Sequence, residues 1–470
     1  MKHVEPNSPA AEQSFSILNL KEDLLNNVAS LGYSLMTPIQ AQSLPVMLAG
    51  QDVIAGAKTG SGKTAAFGLC LLNSLNIKKY AVQALILCPT RELAEQVSQS
   101  LRQLARQMVN VKIVNLSGGV SIRPQLDSLR HSAHIVVGTP GRVQKHLDKK
   151  TLSLCSLKTL VLDEADRMLD IGFLDAIRVV IAFCPKVRQT LLFSATFPAE
   201  IKNLASTFMK NPKKIVIETA HSESDIEQIF YEVAHQKYKL SLLKSILHQQ
   251  KAVSTLIFCN TKEETRQLAN TLNNDGFSVI ALNGDMEQSD RDLAMIRFKN
   301  QSVSILVATD VAARGLDVKE LPLVISFDIA FDHEVHIHRI GRTGRAGCKG
   351  LAVGLTVPAD AERLCLIEER LKNKINLGDK TNLNKAERTI QSPRMITFRL
   401  NVGKKDKIRP GDILGALTKD AGLVGDAIGI INITSLYSYV AIYQEEANKL
   451  FQFFKNGKLK NYKVDARILN

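Results

Sequence analysis

One stretch constrains this chain more than any other. A short apolar run at residues 52–57 leads directly into AKTGSGKT, residues 57–64, and then into a helix-like segment from residue 65. A glycine-rich turn between a buried strand and a helix turns backbone N–H groups toward an anion, and the helix N-terminus adds its partial positive charge. In that frame Thr59, Gly60, Ser61 and Gly62 wrap phosphate oxygens, Lys63 reaches the outer phosphates and Thr64 can hold Mg2+. The usual first glycine is Ala57 here. A strand before the loop and a helix after it belong to an α/β sheet domain.

The remaining sequence extends that pattern. Short β-branched runs at residues 84–88, 111–116, 134–138, 159–162, 190–193 and 214–217 alternate with amphipathic segments of helix length. A second series follows at 254–259, 278–282, 304–308, 323–327 and 351–355, after a polar, acidic stretch at 219–228. Such alternation predicts parallel sheets wound with helices. The expected organisation is two α/β domains in tandem, residues 1–218 and 219–376. Residues 371–393, rich in Lys and Asn, are expected to be a helix end followed by a flexible tether, with the linker at 377–393. Residues 394–470 then read strand, helix, strand, strand, helix, strand. This βαββαβ order is the α+β, ferredoxin-like arrangement of RNA-recognition-motif folds.

Composition narrows the function classes. Of 470 residues, 45% are hydrophobic and 23% charged, which supports several buried cores and excludes global disorder. No apolar run approaches the roughly 20 residues that span a bilayer, and the N-terminus lacks the apolar core of a secretion signal. The expectation is a cytoplasmic protein with no membrane partner. Seven cysteines at least 17 residues apart form neither a disulfide ladder nor a zinc knuckle, so no disulfide-linked partner is expected. The net charge of +14 points to a polyanion. Residues 394–470 hold 13 basic against 7 acidic side chains, so a net +6 is concentrated in the tail.

Two further groups carry chemistry. The apolar run LVL ends in Asp163, Glu164, Ala165 and Asp166, about one hundred residues past the phosphate loop. A carboxylate at such a strand end holds the metal of a nucleoside triphosphatase, and its neighbour can position or deprotonate the attacking water. Asp163 is assigned to Mg2+ and Glu164 to the water. In HRIGRTGR, residues 338–345, Arg339, Arg342 and Arg345 recur every third residue and share roughly one helical face. Three like charges there call for an anion, and an arginine finger supplied by the second domain answers that need.

These residues together resemble a DEAD-box RNA helicase over residues 15 to about 360. The ordered set comprises GYSLMTPIQ (32–40) with Phe15 upstream, AKTGSGKT, PTREL (89–93), Gly118-Gly119, TPGR (139–142), DEAD, SAT (194–196), IFCNT (257–261), Gln288 with Arg291, ATDVAARGLD (308–317) and HRIGRTGR. The resemblance implies two RecA-like domains and ATP as the cofactor. Gln40 would read the adenine edge, Tyr33 would stack on the base beside Phe15, Asp317 would contact the ribose, and Gly315 would also belong to the nucleotide site. Arg342 and Arg345 would meet the γ-phosphate. Ser194 and Thr196 would link the DEAD segment to the second domain. RNA would lie along Pro89, Thr90, Arg91, Gly119, Thr139 and Arg142 on one domain and Gln288, Arg291 and Thr309 on the other. Contacts of this kind position a strand without reading its sequence.

The tail resembles the RNA-binding domain of the DbpA subgroup. Its members recognise a hairpin of large-subunit ribosomal RNA and act in ribosome assembly. The resemblance therefore implies 23S rRNA, as a structured hairpin with an adjacent duplex, and precursors of the large (50S) subunit as partners. Lys404, Lys405, Lys407 and Arg409 form a basic loop suited to phosphates. Tyr437, Tyr439 and Tyr443 share one face of a strand, where they either stack bases or pack on the helices. The usual aromatic signature of sheet-face RNA recognition is not present.

Overall fold

The computed structural model describes residues 13–56, 61–217, 226–251, 254–313, 321–344, 350–371, 375–380, 383, 390–456, 458–460 and 462–469. The chain divides into two compact units, the first made largely of residues 1–219 and the second of most of the remainder.

In the first unit, β1 (Val53–Gly56), β2 (Ala84–Leu87), β3 (Ile113–Leu116), β4 (Ile135–Gly138), β5 (Thr159–Leu162), β6 (Gln189–Ser194) and β7 (Lys213–Val216) form one parallel sheet. Their order is β3-β4-β2-β5-β6-β1-β7. Every residue of β2, β4 and β5 is buried, because helices cover both faces of a parallel sheet. That is why these strands read as continuous apolar runs. One core, around Phe67 and Phe193, lies on one face, and another, around Val136 and Leu160, lies on the other.

The second unit begins with β8 (Ile226–Glu232) and continues with β9 (Thr255–Cys259), β10 (Val279–Leu282), β11 (Ile305–Thr309), β12 (Leu323–Ser326) and β13 (Gly350–Thr356). Here the order is β10-β11-β9-β12-β13-β8, again parallel. β8 was not expected. It starts within the acidic stretch and runs at the sheet edge, where Glu227 and Gln228 interrupt any apolar run. Beyond it, Phe230 N–H donates to Asn376 O and Gly378 N–H to Phe230 O, both at 2.8 Å. Leu383 is buried in the same core. This part of the expected tether is thus packed on the sheet.

The tail carries β14 (Met395–Leu400), β15 (Ile428–Ile433) and β16 (Ser438–Tyr443), a small hairpin of β17 (Lys458–Leu459) and β18 (Tyr462–Lys463), and β19 (Ala466–Leu469). The four long strands form an antiparallel sheet ordered β15-β16-β14-β19. Its helices are Pro410–Gly415, extended by a turn over Ala416–Asp420, and Ala447–Asn456. The predicted order holds with one insertion. β17 and β18 take up the hairpin, so the last strand starts at Ala466, not at Lys463.

Phe398, Leu400, Val440 and Ile442 point into the tail's core. Alternation therefore turns Thr397, Arg399, Tyr437, Tyr439 and Tyr443 to the opposite face, away from the helices. That removes packing on the helices as the role of the three tyrosines. The face is partly occupied from within the chain. Asn300 Nδ2 donates to Thr397 Oγ1 at 3.1 Å, Ser302 and Thr397 hydroxyls lie 2.8 Å apart, and Asn432 Nδ2 donates to Asn300 Oδ1 at 3.3 Å. Asn300 and Thr397 are fully buried, so this polar contact is a sealed one. Arg399 stacks over the Tyr437 ring, 5.0 Å from its centroid.

Candidate nucleotide and RNA sites

The order of the first sheet sorts the predicted residues into two groups. β5, β6 and β1 are consecutive, so the DEAD segment, the SAT segment and the phosphate loop leave the same edge side by side. β3, β4 and β2 occupy the other half, and from their ends come Gly119, Thr139 with Arg142, and Pro89, Thr90 and Arg91. Ligands of open parallel sheets gather at these carboxyl ends.

In the nucleotide half, Lys63 opens the helix Lys63–Ser74 and is buried, with Thr64 next in the first turn. Gly62 has φ +93°, and a Cβ there would sit 2.5 Å from Gln40 Nε2 and 2.9 Å from Thr37 Oγ1. Only glycine fits this crossing. Gln40 in turn accepts from Thr37 N–H at 2.9 Å and donates to Gly62 O at 3.1 Å, while Thr37 Oγ1 donates to Ser61 O at 2.8 Å. The expected adenine reader is thereby wired to the phosphate loop, a link the sequence did not reveal. Phe15 is buried beneath Tyr33, their rings stacked with centroids 6.4 Å apart. Tyr33 is 44% exposed and can offer its ring to a base. Thr59, Gly60, Gly315, Asp317 and Arg345 lie outside the described residues.

Asp163 is buried at the end of β5, and its Oδ1 has no hydrogen-bond partner among the described residues. Burial pushes its carboxyl up to about 6; Lys63 pulls the other way and Glu164 adds to the rise. The buried Ser61 hydroxyl is likewise without a partner among the described residues. An orphaned carboxylate oxygen and hydroxyls close to a lysine suit a hard, oxygen-seeking cation, so these residues fit Mg2+. Glu164 takes the left-handed conformation, φ 51°, and pairs with buried Arg167 at 2.7 Å. Such strain is typical of functional positions.

Asp166, for which residue type and spacing suggest no role, has a structural one. Its Oδ2 accepts from Ala195 N–H at 3.0 Å, Thr196 N–H at 2.9 Å and Thr196 Oγ1 at 3.1 Å. Ser194 Oγ accepts from Asp166 N–H at 3.3 Å and donates to Thr196 O at 2.6 Å. The SAT segment is thus tied to the DEAD segment within the first unit.

In the RNA half, Thr90 caps the helix Arg91–Leu104 through Leu93 N–H at 3.2 Å, with Pro89 before it, and Thr139 stands at the N-cap of Pro140–Asp148. Gly119 has φ +72°, and the Arg91 guanidinium lies where its Cβ would be. Arg142 donates to Gln125 Oε1 at 2.9 Å and Val120 O at 2.8 Å. Burial and the neighbouring Arg91 charge hold its pKa below the ordinary guanidinium value. Two cations held together over a glycine form a seat for a phosphate.

In the second unit, Gln288 opens the helix Gln288–Lys299, one turn before Arg291, and donates to Asp292 at 2.7 Å. Thr309 ends β11, with Asp310 starting the next helix. Arg339 has an internal partner. Arg339, 1% exposed, is gripped by Asp310 at 2.7 Å through both Nε and Nη2 and by Asn260 Oδ1 at 2.8 Å, and it lies over the Phe258 ring. An internal carboxylate answers its charge, which corrects the picture of three arginines awaiting one anion. Arg342 follows just past the helix His333–Ile340 and is buried. In the tail, Lys404, Lys405, Lys407 and Arg409 are all exposed on one loop, which is held by Lys404 N–H to Thr434 O and Lys405 N–H to Ser435 O.

This pairing of a phosphate loop and DEAD segment with a second parallel-sheet unit defines a helicase. Three family models match in order: DEAD/DEAH box helicase over residues 37–204, helicase conserved C-terminal domain over 238–347, and DbpA RNA binding domain over 397–468. The chain belongs to the DEAD-box ATP-dependent RNA helicases, in the subgroup that carries a DbpA RNA-binding domain. It is 49% identical to the ATP-dependent RNA helicase DbpA of Escherichia coli K12, covering 97% of this chain and 99% of that one. It is 36% identical to the protein of that name in Bacillus subtilis, with the same coverage. A solved structure of S. cerevisiae Dbp5 bound to RNA and ADP BeF3 is similar with a TM-score of 0.72 and 29% identity, over 79% of this chain and 97% of that one. No described helix is long and apolar enough to cross a membrane.

Proposed function

We propose that this chain uses Mg2+-dependent ATP hydrolysis to open short stretches of 23S rRNA in the cytoplasm during assembly of the 50S ribosomal subunit. The observation that carries the hydrolytic part is the orphaned, buried Asp163 oxygen beside Lys63. Thr64 and Asp163 would hold the ion, which neutralises developing phosphate charge when bound. Lys63 holds the outer phosphates and Glu164 orients the water. Gln40, locked to Gly62, passes base recognition to the phosphate loop. Arg342 and Arg345 supply charge stabilisation from the second lobe. Residues 1–218 and 219–376 act as the two lobes, and residues 394–470 deliver them to their substrate. Because each lobe brings part of the nucleotide and RNA contacts, the two ligands strengthen one another's binding.

Targeting to ribosomal RNA is supported by the DbpA-domain match and by the four exposed cations at 404–409. The test compares ATPase stimulation by purified 23S rRNA and by a generic RNA of equal length. A strong preference for 23S rRNA is expected, and it should vanish when Lys404, Lys405 and Lys407 are changed to Glu or the chain ends at residue 392. Equal stimulation of the intact chain by both RNAs would refute the targeting. Glu164→Gln should bind ATP without multiple turnover; retained turnover would refute the role of Glu164.

A further inference from the structure

The tail holds a pocket of about 450 Å3 between its second helix and the start of β19, lined among others by Phe451, Phe454, Lys455, Lys463, Val464 and Asp465. Phe454 and Val464 form a buried floor, whereas Phe451 is 46% exposed at the lip. Lys455, at the end of the helix, and Lys463, on β18, both line the pocket and are exposed. The wall at β19 is fixed, because Asn401 accepts from Asp465 N–H at 2.7 Å and donates its own N–H to Asp465 O at 3.2 Å. The Asp465 side chain itself is exposed and accepts from Arg467 at 3.1 Å.

We propose that this pocket receives one unpaired RNA nucleotide, with its base against Phe451 and its flanking phosphates on Lys455 and Lys463. The assignment rests on the reading that the tail binds RNA. Three observations select the occupant. An exposed aromatic lip over an apolar floor suits a flat ring, and every base has a face that can stack on it. Two exposed cations at the pocket suit the phosphates that flank such a ring. The site also adjoins the basic loop, since Lys460, on the hairpin turn leading to Lys463, donates to Lys407 O at 3.2 Å. A strand crossing the loop phosphates therefore reaches the pocket without passing over the sheet face that Asn300 partly occupies. An apolar peptide is the poorer occupant, because it would leave the rim lysines without counter-charge.

The experiment uses the full chain and purified 23S rRNA in filter-binding titrations across salt concentrations, with poly-U-stimulated ATPase as a check on the motor. Phe451→Ala removes an exposed ring and should weaken rRNA binding roughly tenfold or more, the effect of losing one base stack, while ATPase at saturating poly-U is unchanged. Lys463→Gln should lower the salt dependence, reducing the slope of log affinity against log salt by about 0.7. Photocrosslinking with 4-thiouridine-containing rRNA should label the peptide bearing Phe451. If Phe451→Ala and Lys463→Gln bind like the wild type while Lys404→Glu with Lys405→Glu does not, the pocket assignment falls and tail RNA binding stands. If none of these variants changes rRNA binding, both fall.

Discussion

Asp163→Asn separates the cost of a buried charge from its use. The Asp163 carboxyl is lifted from 3.8 to about 6 by burial. A carboxyl raised in the folded state is destabilising once ionised: the cost vanishes only well below the ordinary value of 3.8, and it grows until pH passes about 6. At pH 7.5 the lift amounts to about 3 kcal/mol, from 1.36 kcal/mol per pKa unit. Without nucleotide or metal, Asp163→Asn should therefore be more stable than the wild type at pH 7.5. For a lobe of this size, about 3 kcal/mol corresponds to roughly 6–12 °C in Tm. Linkage reduces the gap to about half at pH 5 and to about a third at pH 4.5. The assay is thermal unfolding of both proteins in EDTA across that range, alongside ATP turnover, which the variant should lose. Asn also leaves a buried polar atom, which lowers the absolute gain at all pH values alike, so the pH slope is the decisive quantity. A difference that does not change between pH 4.5 and 7.5 would refute the reasoning.

Further outcomes follow from other contacts. Gly62→Ala forces a Cβ to within 2.5 Å of Gln40 at φ +93° and should raise the KM for ATP at least tenfold, read from a steady-state titration with Gly50→Ala as a control for φ strain alone. Arg339→Met leaves the partly buried Asp310 and the Asn260 amide oxygen without their partner and should destabilise the second unit by about 2–4 kcal/mol in urea unfolding, beyond any loss of turnover. Thr397→Val removes the acceptor for Asn300 and should speed amide exchange in β14 and in residues 300–304, with a loosening of about 1–3 kcal/mol.

Most of both parallel sheets was readable because strands buried on two faces must be apolar throughout, and residues such as Ala84–Leu87 meet that demand without exception. β8 escaped because it is the last strand of its sheet, where Glu227 and Gln228 are tolerated. The tail hairpin escaped because two strands of two residues each leave no period to detect. Residue types and spacing single out Lys63 and Asp163 as candidates, since phosphates demand cations and a metal demands carboxylate, whereas Arg91 and Arg142 enter only through the family resemblance. What sequence could not show is who answers whom. Arg339 finds Asp310 across 29 positions, Asp166 finds Thr196 across 30, and Gln40 finds Gly62 across 22. Asp166 and Thr196 follow neighbouring strands, whereas Arg339 and Gln40 reach their partners from helices, so only the packed fold brings each pair together.

The Thr397–Asn300 contact changes how capture of an RNA by the tail would be felt elsewhere. Were the tail on a loose string, the string's length would set a local concentration and every approach angle would be equal. A seated tail instead holds its cargo at a fixed bearing to the second lobe. On the proposed reading, the rotational phase of a duplex about its own axis, as well as its distance from the anchoring hairpin, would then decide which strand is offered to the candidate RNA contacts Gln288, Arg291 and Thr309. Selectivity among neighbouring helices of one large RNA would arise from aim.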